Sequence, residues 1–338
     1  MKLRSGSLLI LALLLLLLFA LALLDIRLGS VAITFREMAG HLLGSSPLSD
    51  QQLLILAKFR LPRLATALLA GAALPVCGLQ MQTLFRNPLA GPYVLGISSG
   101  ASFGAALVVL GAGATGIVAT WSLAIAAWTG AGIVMLLLLF VSFRIKDVMT
   151  ILILGIMFSS GLAAIISIMQ YFSQAAALKS FVIWSMGSLG NVTGAQLLIM
   201  TWAILPLLLL TFAYSKTLNG LMLGEEYAIT LGIRIRRTRI IIFAVTSILA
   251  GTVTAFCGPI GFIGIAVPHI ARFLFNRSDH RILLPATMLT GMLVMVFSDI
   301  VSQLPGTDRI LPINAVTSLI GIPIVIWLVI MNRKAHSL

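Results

Sequence analysis

Long apolar runs separated by short polar segments make up most of this chain. None of the runs alternates strictly between apolar and polar positions, and each lasts roughly 17 to 25 residues, as a helix that crosses a bilayer requires. In hydrocarbon, backbone polar groups must be bonded within the spanning element, which leaves helices or closed barrels. The pattern predicts an all-α, polytopic membrane protein with about ten transmembrane helices in a single domain over residues 1–338. The ten predicted spans are 8–24, 62–81, 93–110, 117–140, 148–170, 196–213, 240–257, 259–275, 282–303 and 312–331.

Two of these runs admit another interpretation. The run from Leu8 to Leu24 follows Lys2 and Arg4 and could be a signal peptide, but its 17 apolar residues exceed a usual signal core, so a retained first span is expected. The eighth run is short and interrupted by glycines and Pro268. The side on which the C-terminus lies depends on that run.

The connections between the runs carry features of their own. Residues 25–61 and 171–195 are long enough for interfacial amphipathic helices with turns, and Trp184 suits a membrane surface. "GPYVLG" opens the third run and "GPIGFIG" the eighth, five runs later and from the opposite side. This echo would fit an inverted repeat of five helices.

Composition and charge agree with this fold class and set an orientation. The chain is 60% hydrophobic and 9% charged, whereas soluble domains are about 25% charged. Fifteen of the 22 basic residues fall on the side of the N-terminus, so both termini are expected in the cytoplasm of a cell (inner) membrane protein. The net charge of +13 comes from basic residues at the ends of apolar runs, which argues against nucleic-acid binding. Cys77 and Cys257 are expected to be free and packed.

Few residues are suited to chemistry inside the membrane. "GISSG" (96–100) matches a hydrolase motif, but Ser98 falls in a predicted membrane helix and lacks the strand and turn of that motif. Asp299 and His269 are the ionisable candidates for proton or ion coupling, and both lie near predicted span ends. The chain has no G-x-x-x-x-G-K-[ST] phosphate loop, so energy is expected from another subunit. Gly96, Gly100 and Gly104 predict a flat helix face for static packing or for sliding.

One charged stretch, "NGLMLGEEYAITLGIRIRRTR" (219–239), stands out among the apolar runs. Apolar residues between Leu221 and Leu231 could cover one side of a short helix, with Gly224 and Gly232 as its start and stop signals. Such a helix outside the bilayer is suited to docking into a groove of a partner. A solvated basic loop that obeys the positive-inside bias explains the composition equally well.

Several motifs together resemble the FecCD family of permeases. They are "RLPR" (60–63), "GLQMQTLFRNPLAGPYVLGISSGA" (78–101), "GEEYAITLGI" (224–233), "GPIGFIGIAVPHIAR" (258–272) and "LPINAVTSLIGIPIVIWLV" (311–329). The resemblance implies the membrane subunit of a binding-protein-dependent ABC importer for iron-siderophores, haem or vitamin B12. It further implies a homodimer with two ATPase subunits below and a periplasmic or lipoprotein substrate-binding protein above. No catalytic activity and no bound cofactor are expected in this chain, since ATP and Mg²⁺ would be used by the ATPase.

The resemblance also implies roles for particular residues. The ATPase would receive the coupling loop at 216–238. Its expected contact residues are Leu221, Gly224, Glu225, Glu226, Ala228, Leu231 and Gly232.

Two further sites follow from the same resemblance. Arg60 and Arg63 would dock the binding protein, with Arg309 as a substitute for an arginine that some relatives have where this chain has Gln303. The turn with Arg86, Asn87 and Pro88 would form part of an inner gate. The expected cargo is a bulky metal chelate, with an iron-siderophore ahead of haem or vitamin B12, moved by alternating access. The alternative is an ion-coupled secondary transporter that requires Asp299 or His269.

Overall fold

A computed structural model describes most of the chain as helices joined by turns. The described residues are 5–29, 31, 33–42, 48–93, 96–111, 117–145, 147–303 and 310–335. No strand occurs within these ranges, which confirms the all-α fold class. The helices are α1 (Ser5–Arg27), α2 (Phe35–Leu42), α3 (Asp50–Ile55), α4 (Leu61–Phe85), α5 (Ile97–Ala106), α6 (Ile117–Arg144), α7 (Val148–Phe172), α8 (Ala175–Ser185), α9 (Gly194–Ala213), α10 (Ser215–Met222), α11 (Glu225–Thr230), α12 (Ile235–Cys257), α13 (Ile263–Phe275), α14 (His280–Ser302) and α15 (Ile313–Ala335).

Each of the ten predicted spans coincides with one helix, but the helices differ in length. Within the described ranges, seven helices are long and apolar enough to cross a membrane: α1, α4, α6, α7, α9, α12 and α14. The third and eighth spans are shorter than predicted, because their helices begin at Ile97 and Ile263 rather than at 93 and 259. The tenth is apolar over Ile313–Trp327.

The connections gather at two ends of the bundle. At one end Arg86 lies next to Gly224, and Asn219 bonds the backbone N–H of His280 at 2.8 Å. At the other end the Ser188 N–H donates to the Cys257 carbonyl at 2.8 Å. The first is the predicted cytoplasmic end and is called the inner end below, and the second is called the outer end.

The helix α4 forms the centre of the bundle. In the most apolar 18-residue stretch that includes α4, 83% of the residues are buried. In the corresponding stretch of α1, at the periphery, only 6% are buried. Helices α14, α13 and α12 pack directly on α4. Outward-facing leucines of α1 such as Leu16 are exposed, as expected of a lipid-facing helix.

Glycines let the central helices touch backbone to backbone. A Cβ on Gly71 of α4 would lie 2.7 Å from the Gly291 carbonyl oxygen of α14, and a Cβ on Gly78 would lie 1.5 Å from that of Gly264 on α13. Such close approach by small residues is how helices associate in lipid, where no hydrophobic force draws them together.

The glycine face predicted on the third span packs in the same way. A Cβ on Gly100 would lie 2.6 Å from the Gly130 carbonyl oxygen of α6, and one on Gly104 would lie 1.9 Å from that of Ala126. The face is therefore a packing surface between α5 and α6. A sliding motion at this surface stays a prediction.

The two Gly-Pro motifs end up side by side inside the bundle. The Pro92 ring lies 3.2 Å from where a Cβ on Gly264 would be, and both residues are buried. Gly258 and Phe262 have φ values of 74° and 64°, outside the helical region, so α13 cannot start before Ile263. The motifs thus produce two short helices, α5 and α13, that begin at adjacent breaks.

Both long outer connections contain short helices, as predicted. Helices α2 and α3 lie in the first connection and α8 in the second. The N-terminus of α3 has a capping box, in which Ser49 and Gln52 bond each other's backbone N–H groups. A π-helical turn, Leu56–Arg60, then joins α3 directly to α4.

We expect Gly78→Ala to destabilise the protein, because the added methyl group would collide with the α13 backbone rather than with a flexible side chain. Overpacking of this kind costs about 1–3 kcal/mol or more. The measurement is the thermal midpoint of the detergent-purified protein. Gly161→Ala on α7 is the matched control, since nothing lies within 4 Å of its added Cβ. Equal midpoints for the two variants would contradict the close packing of α4 on α13.

Candidate functional site

The predicted coupling loop folds into two short helices at the inner end. Helix α10 ends at Met222, the chain turns at Gly224, and α11 begins at Glu225. Gly224 has φ 108° and ψ 155°, a conformation that only glycine adopts readily. Gly224 and Gly232 bracket α11 as predicted. Sequence analysis missed α10, and so placed Leu221 on the same helix as Leu231.

The apolar residues of this segment divide between two faces. Leu221 and Ala228 are 3% and 0% exposed and pack into the protein. Leu223, Tyr227, Ile229 and Leu231 are 63%, 56%, 60% and 56% exposed. We call these four residues the apolar face. Both side chains are buried in the chain itself, so contact of Leu221 or Ala228 with a partner stays a prediction.

A salt bridge fastens α11 to the start of α12. The Arg239 guanidinium lies 2.8 Å from the Glu225 carboxylate, and the Arg239 side chain is 7% exposed. Glu226 is exposed beside this pair. Arg236, at the first turn of α12, lies 4.8 Å above the Phe143 ring of α6. The charges that distinguish residues 219–239 therefore hold the segment in place as well as marking the inner end.

A cleft of about 740 Å³ separates the coupling segment from the predicted inner gate. It is lined by Arg86, Leu223, Gly224, Glu225, Glu226, Tyr227 and Thr230. The Arg86 side chain approaches within 3.5 Å of where a Cβ on Gly224 would be. Two sites that the sequence predicted separately are therefore neighbours, and Glu226 and Tyr227 are exposed at their junction.

The turn that holds the predicted gate residues is tightly bonded. Arg86 caps α4 with φ 46°, and the Asn87 side chain accepts from the Leu89 N–H at 2.9 Å. The Pro88 carbonyl lies 2.8 Å from Nε2 of His269 on α13. The turn is thereby tied to α13 as well as to α4, while its role as a gate stays a prediction.

A second contact joins α4 and α13 at this level. Arg272 donates to Gln82 Oε1 at 2.8 Å, and Gln82 Nε2 donates to the Ile265 carbonyl at 3.2 Å. These polar groups satisfy one another in a region where water is scarce.

At the outer end, Arg60 is bonded within the chain. Its guanidinium donates to the carbonyls of Ile26 at 2.7 Å, Arg27 at 3.1 Å and Val31. It therefore caps the C-terminus of α1, where carbonyls lack helical partners and a cation is favoured. Arg60 is 9% exposed.

Arg63 is also engaged, in a pair with the carboxylate of Asp299. Arg63 Nε lies 2.8 Å and Nη2 2.8 Å from the two Asp299 oxygens, a bidentate arrangement. Nη2 also donates to Ser302 at 3.1 Å, and Gln303 donates to Asp25 at 2.8 Å. Asp299 is 1% exposed, so the pair joins α4 to α14 in a buried setting.

These contacts bear on the predicted docking of a binding protein. Arg60 and Arg63 are both committed to groups within this chain, and docking by either one stays a prediction. Gln303 bonds Asp25 rather than standing free. Arg309 lies outside the described residues. Sequence reasoning missed the Arg63–Asp299 pair because 236 residues separate the partners.

The remaining candidates, Ser98 and the two cysteines, are buried within the fold. Ser98 lies within α5, with its hydroxyl 3.5 Å from that of Thr254. This helical setting agrees with the rejection of the hydrolase motif. Cys77 and Cys257 are free and buried, as predicted.

Comparison with known proteins places these features in a family. Residues 14–331 match the FecCD transport family. The chain is 34% identical to the hemin transport system permease protein HmuU of Yersinia pestis, over 97% of each chain. It is 39% identical to the vitamin B12 import system permease protein BtuC of Klebsiella pneumoniae, over 85% of each chain.

Solved structures agree with these sequence matches. A metal-chelate type ABC transporter in an inward-facing conformation superposes with a TM-score of 0.84 at 30% identity, covering 95% of this chain and 99% of that one. PsaBC from Streptococcus pneumoniae, in complex with Fab, shares the fold at a TM-score of 0.54 and 16% identity, covering 80% of this chain and 91% of that one.

We expect Arg63→Ala to destabilise the protein, because it leaves the buried Asp299 carboxylate without its cation. Breaking a buried pair in this way costs about 3–5 kcal/mol. The double variant Arg63→Ala/Asp299→Ala should be less destabilised than Arg63→Ala alone. Thermal midpoints in detergent measure both effects. Unchanged stability of Arg63→Ala, together with lost affinity for a binding protein, would assign Arg63 to docking instead.

Proposed function

Because the chain belongs to the FecCD transport family, we propose that it is the membrane-spanning permease subunit of a binding-protein-dependent ABC importer. In this proposal two copies form the translocation path along their shared axis. Two ATPase subunits bind at the inner end, and a substrate-binding protein binds at the outer end. ATP hydrolysis by the ATPases drives alternating access, and this chain performs no chemistry.

The observation that carries this proposal is the apolar face of the coupling segment. Four large apolar side chains are more than half exposed on a short segment that, by the charge bias, lies outside the bilayer. Large exposed apolar side chains grouped on one short segment indicate a site of interaction. The Glu225–Arg239 bridge ties the segment to α12, so a partner that pushes on the segment would move the end of that helix.

The cargo proposed is an iron-siderophore, with haem or vitamin B12 as the other members of the same class. Similarity to a hemin permease and to a vitamin B12 permease supports a bulky, metal-containing cargo without favouring one of them. The orientation proposed, with both termini in the cytoplasm, rests on the excess of basic residues at the inner end.

We expect Ile229→Asp to abolish co-purification of the ATPase, because a charge would replace one of the four exposed apolar side chains of the apolar face. Loss of one well-packed interface side chain costs about 2 kcal/mol or more, which corresponds to over tenfold weaker binding. The measurement is the amount of ATPase recovered per permease after purification of the tagged importer in mild detergent. Ala228→Arg is unsuitable for this test, because Ala228 is 0% exposed and a charge there would disrupt α11 itself.

Ile310→Asp is the matched control for that experiment. Ile310 is 66% exposed, close to the 60% of Ile229, but lies near the outer end, away from the proposed ATPase. ATPase recovery should be unchanged in this variant. Equal recovery in Ile229→Asp and Ile310→Asp, or no ATPase with the parent protein, would overturn the proposed function.

We expect the assembled importer in proteoliposomes to take up a ferric hydroxamate siderophore when its binding protein and ATP are supplied. Uptake of radioactive iron is the measurement, and haemin and cyanocobalamin are supplied in parallel. Uptake of haemin or cyanocobalamin but not of the siderophore would support the importer function and assign it a different cargo. ATP-independent uptake that a proton or sodium gradient drives would favour a secondary transporter.

A further inference from the structure

A partly buried chain of hydrogen bonds connects the coupling segment to the inner end of α4. It begins at Asp279, which precedes α14, where the carboxylate accepts from Asn219 Nδ2 of α10 at 2.7 Å. It continues through His280, the first residue of α14, and ends at Thr83 of α4. His280 is 1% exposed and Thr83 is 5% exposed.

The bonding pattern fixes which atoms donate. Because Asn219 Nδ2 faces Asp279, its Oδ1 faces His280 and accepts from the His280 backbone N–H at 2.8 Å and from Nδ1 at 2.8 Å. With the proton on Nδ1, Nε2 of the neutral ring faces the Thr83 hydroxyl at 2.8 Å, and the single proton of that hydroxyl is shared between Nε2 and the Leu79 carbonyl, which also lies at 2.8 Å. One imidazole thus bonds α10 on one side and α4 on the other.

The position of this contact gives it mechanical importance. Helix α10 packs on α11, which carries Tyr227 and Ile229 of the apolar face, and also on α4 and α14. Thr83 lies three residues before Arg86, where the inner-gate turn begins. On the far side, Gly71 and Gly291 hold α4 and α14 backbone to backbone. His280 therefore adds a hydrogen-bonded link between α10 and the end of α4 next to the inner-gate turn, beside the direct packing of α10 on α4.

We propose that His280 is a positioning residue that transmits movement of the coupling segment to α4, and so to the inner mouth of the path. This inference rests on the proposed function, since it assumes that an ATPase moves α10 and α11. Without the imidazole, a displacement of α10 would no longer displace the inner end of α4. A residue with a merely structural role would instead lower the amount of folded protein without separating the two movements.

The experiment uses the full importer with its ATPase and places spin labels at Lys216→Cys on α10 or at Leu89→Cys in the inner-gate turn. Both positions are exposed, whereas the native Cys77 and Cys257 are buried and should not take the label. The distance between the two copies is measured without nucleotide and after trapping with ATP and vanadate. In the parent protein both label positions should shift on trapping.

His280→Ala and Thr83→Val should keep the shift at Lys216 and lose the shift at Leu89. Thr83→Ser retains the hydroxyl and should behave as the parent. Thr287→Val is the matched control on α14: Thr287 is 0% exposed, and its hydroxyl has no hydrogen-bond partner among the described residues. This control should also behave as the parent. Should His280→Ala fail to fold, Thr83→Val tests the same bond by removing the hydroxyl, together with the bond that this hydroxyl makes to the Leu79 carbonyl within α4.

The outcomes separate this inference from the proposed function. A full Leu89 shift in Thr83→Val or in folded His280→Ala would overturn the role of His280 and leave the importer intact. Absence of a bound ATPase, or of any nucleotide-dependent shift in the parent protein, would overturn both. Loss of both shifts in Thr287→Val as well would show that any buried change on α14 disrupts the movement, and would also contradict a specific role for His280.

Discussion

The antiparallel contact between α4 and α14 is the constraint on which the rest of the structure depends. Gly71 and Gly291 bring the two backbones so close that neither position has room for a side chain. The Arg63–Asp299 pair fastens the same two helices near the outer end, and the Thr83–His280 bond fastens them near the inner end. Because these three attachments lie along one helix pair, α4 and α14 should move as one body, and the other helices pack around them.

Much of the fold follows from the sequence because lipid imposes a simple rule on it. A run of apolar residues long enough to cross the bilayer must be helical there, so all ten predicted spans coincide with helices. The errors concern the starts of the third and eighth spans, because α5 begins at Ile97 and α13 at Ile263 although the predicted apolar runs begin earlier. The positive φ of Phe262, which precedes α13, depends on how α4 and α13 pack against each other. The hydropathy of the sequence carries no information about this packing.

The candidate site was less predictable, since which side of a short helix faces outward depends on what lies beneath it. Gly224 and Gly232 correctly indicated where α11 begins and ends, from local signals alone. The burial of Ala228 and the exposure of Ile229 could not be predicted, because they are set by α12 and α10. In the same way, "RLPR" identified Arg63 as notable, but its partner Asp299 lies at the far end of the sequence.

The few ionisable groups within the bundle bear on whether an ion could drive transport. A carboxylate or imidazole that couples transport to an ion must exchange its proton with each side in turn. Asp299 is held by two bonds from Arg63 and is 1% exposed, and His269 is bonded to the Pro88 carbonyl and is 8% exposed. Both groups hold helices together, which is a poor setting for a proton carrier. The apolar face at the inner end is exposed and rigidly attached, and so is better suited to receive energy from a separate subunit.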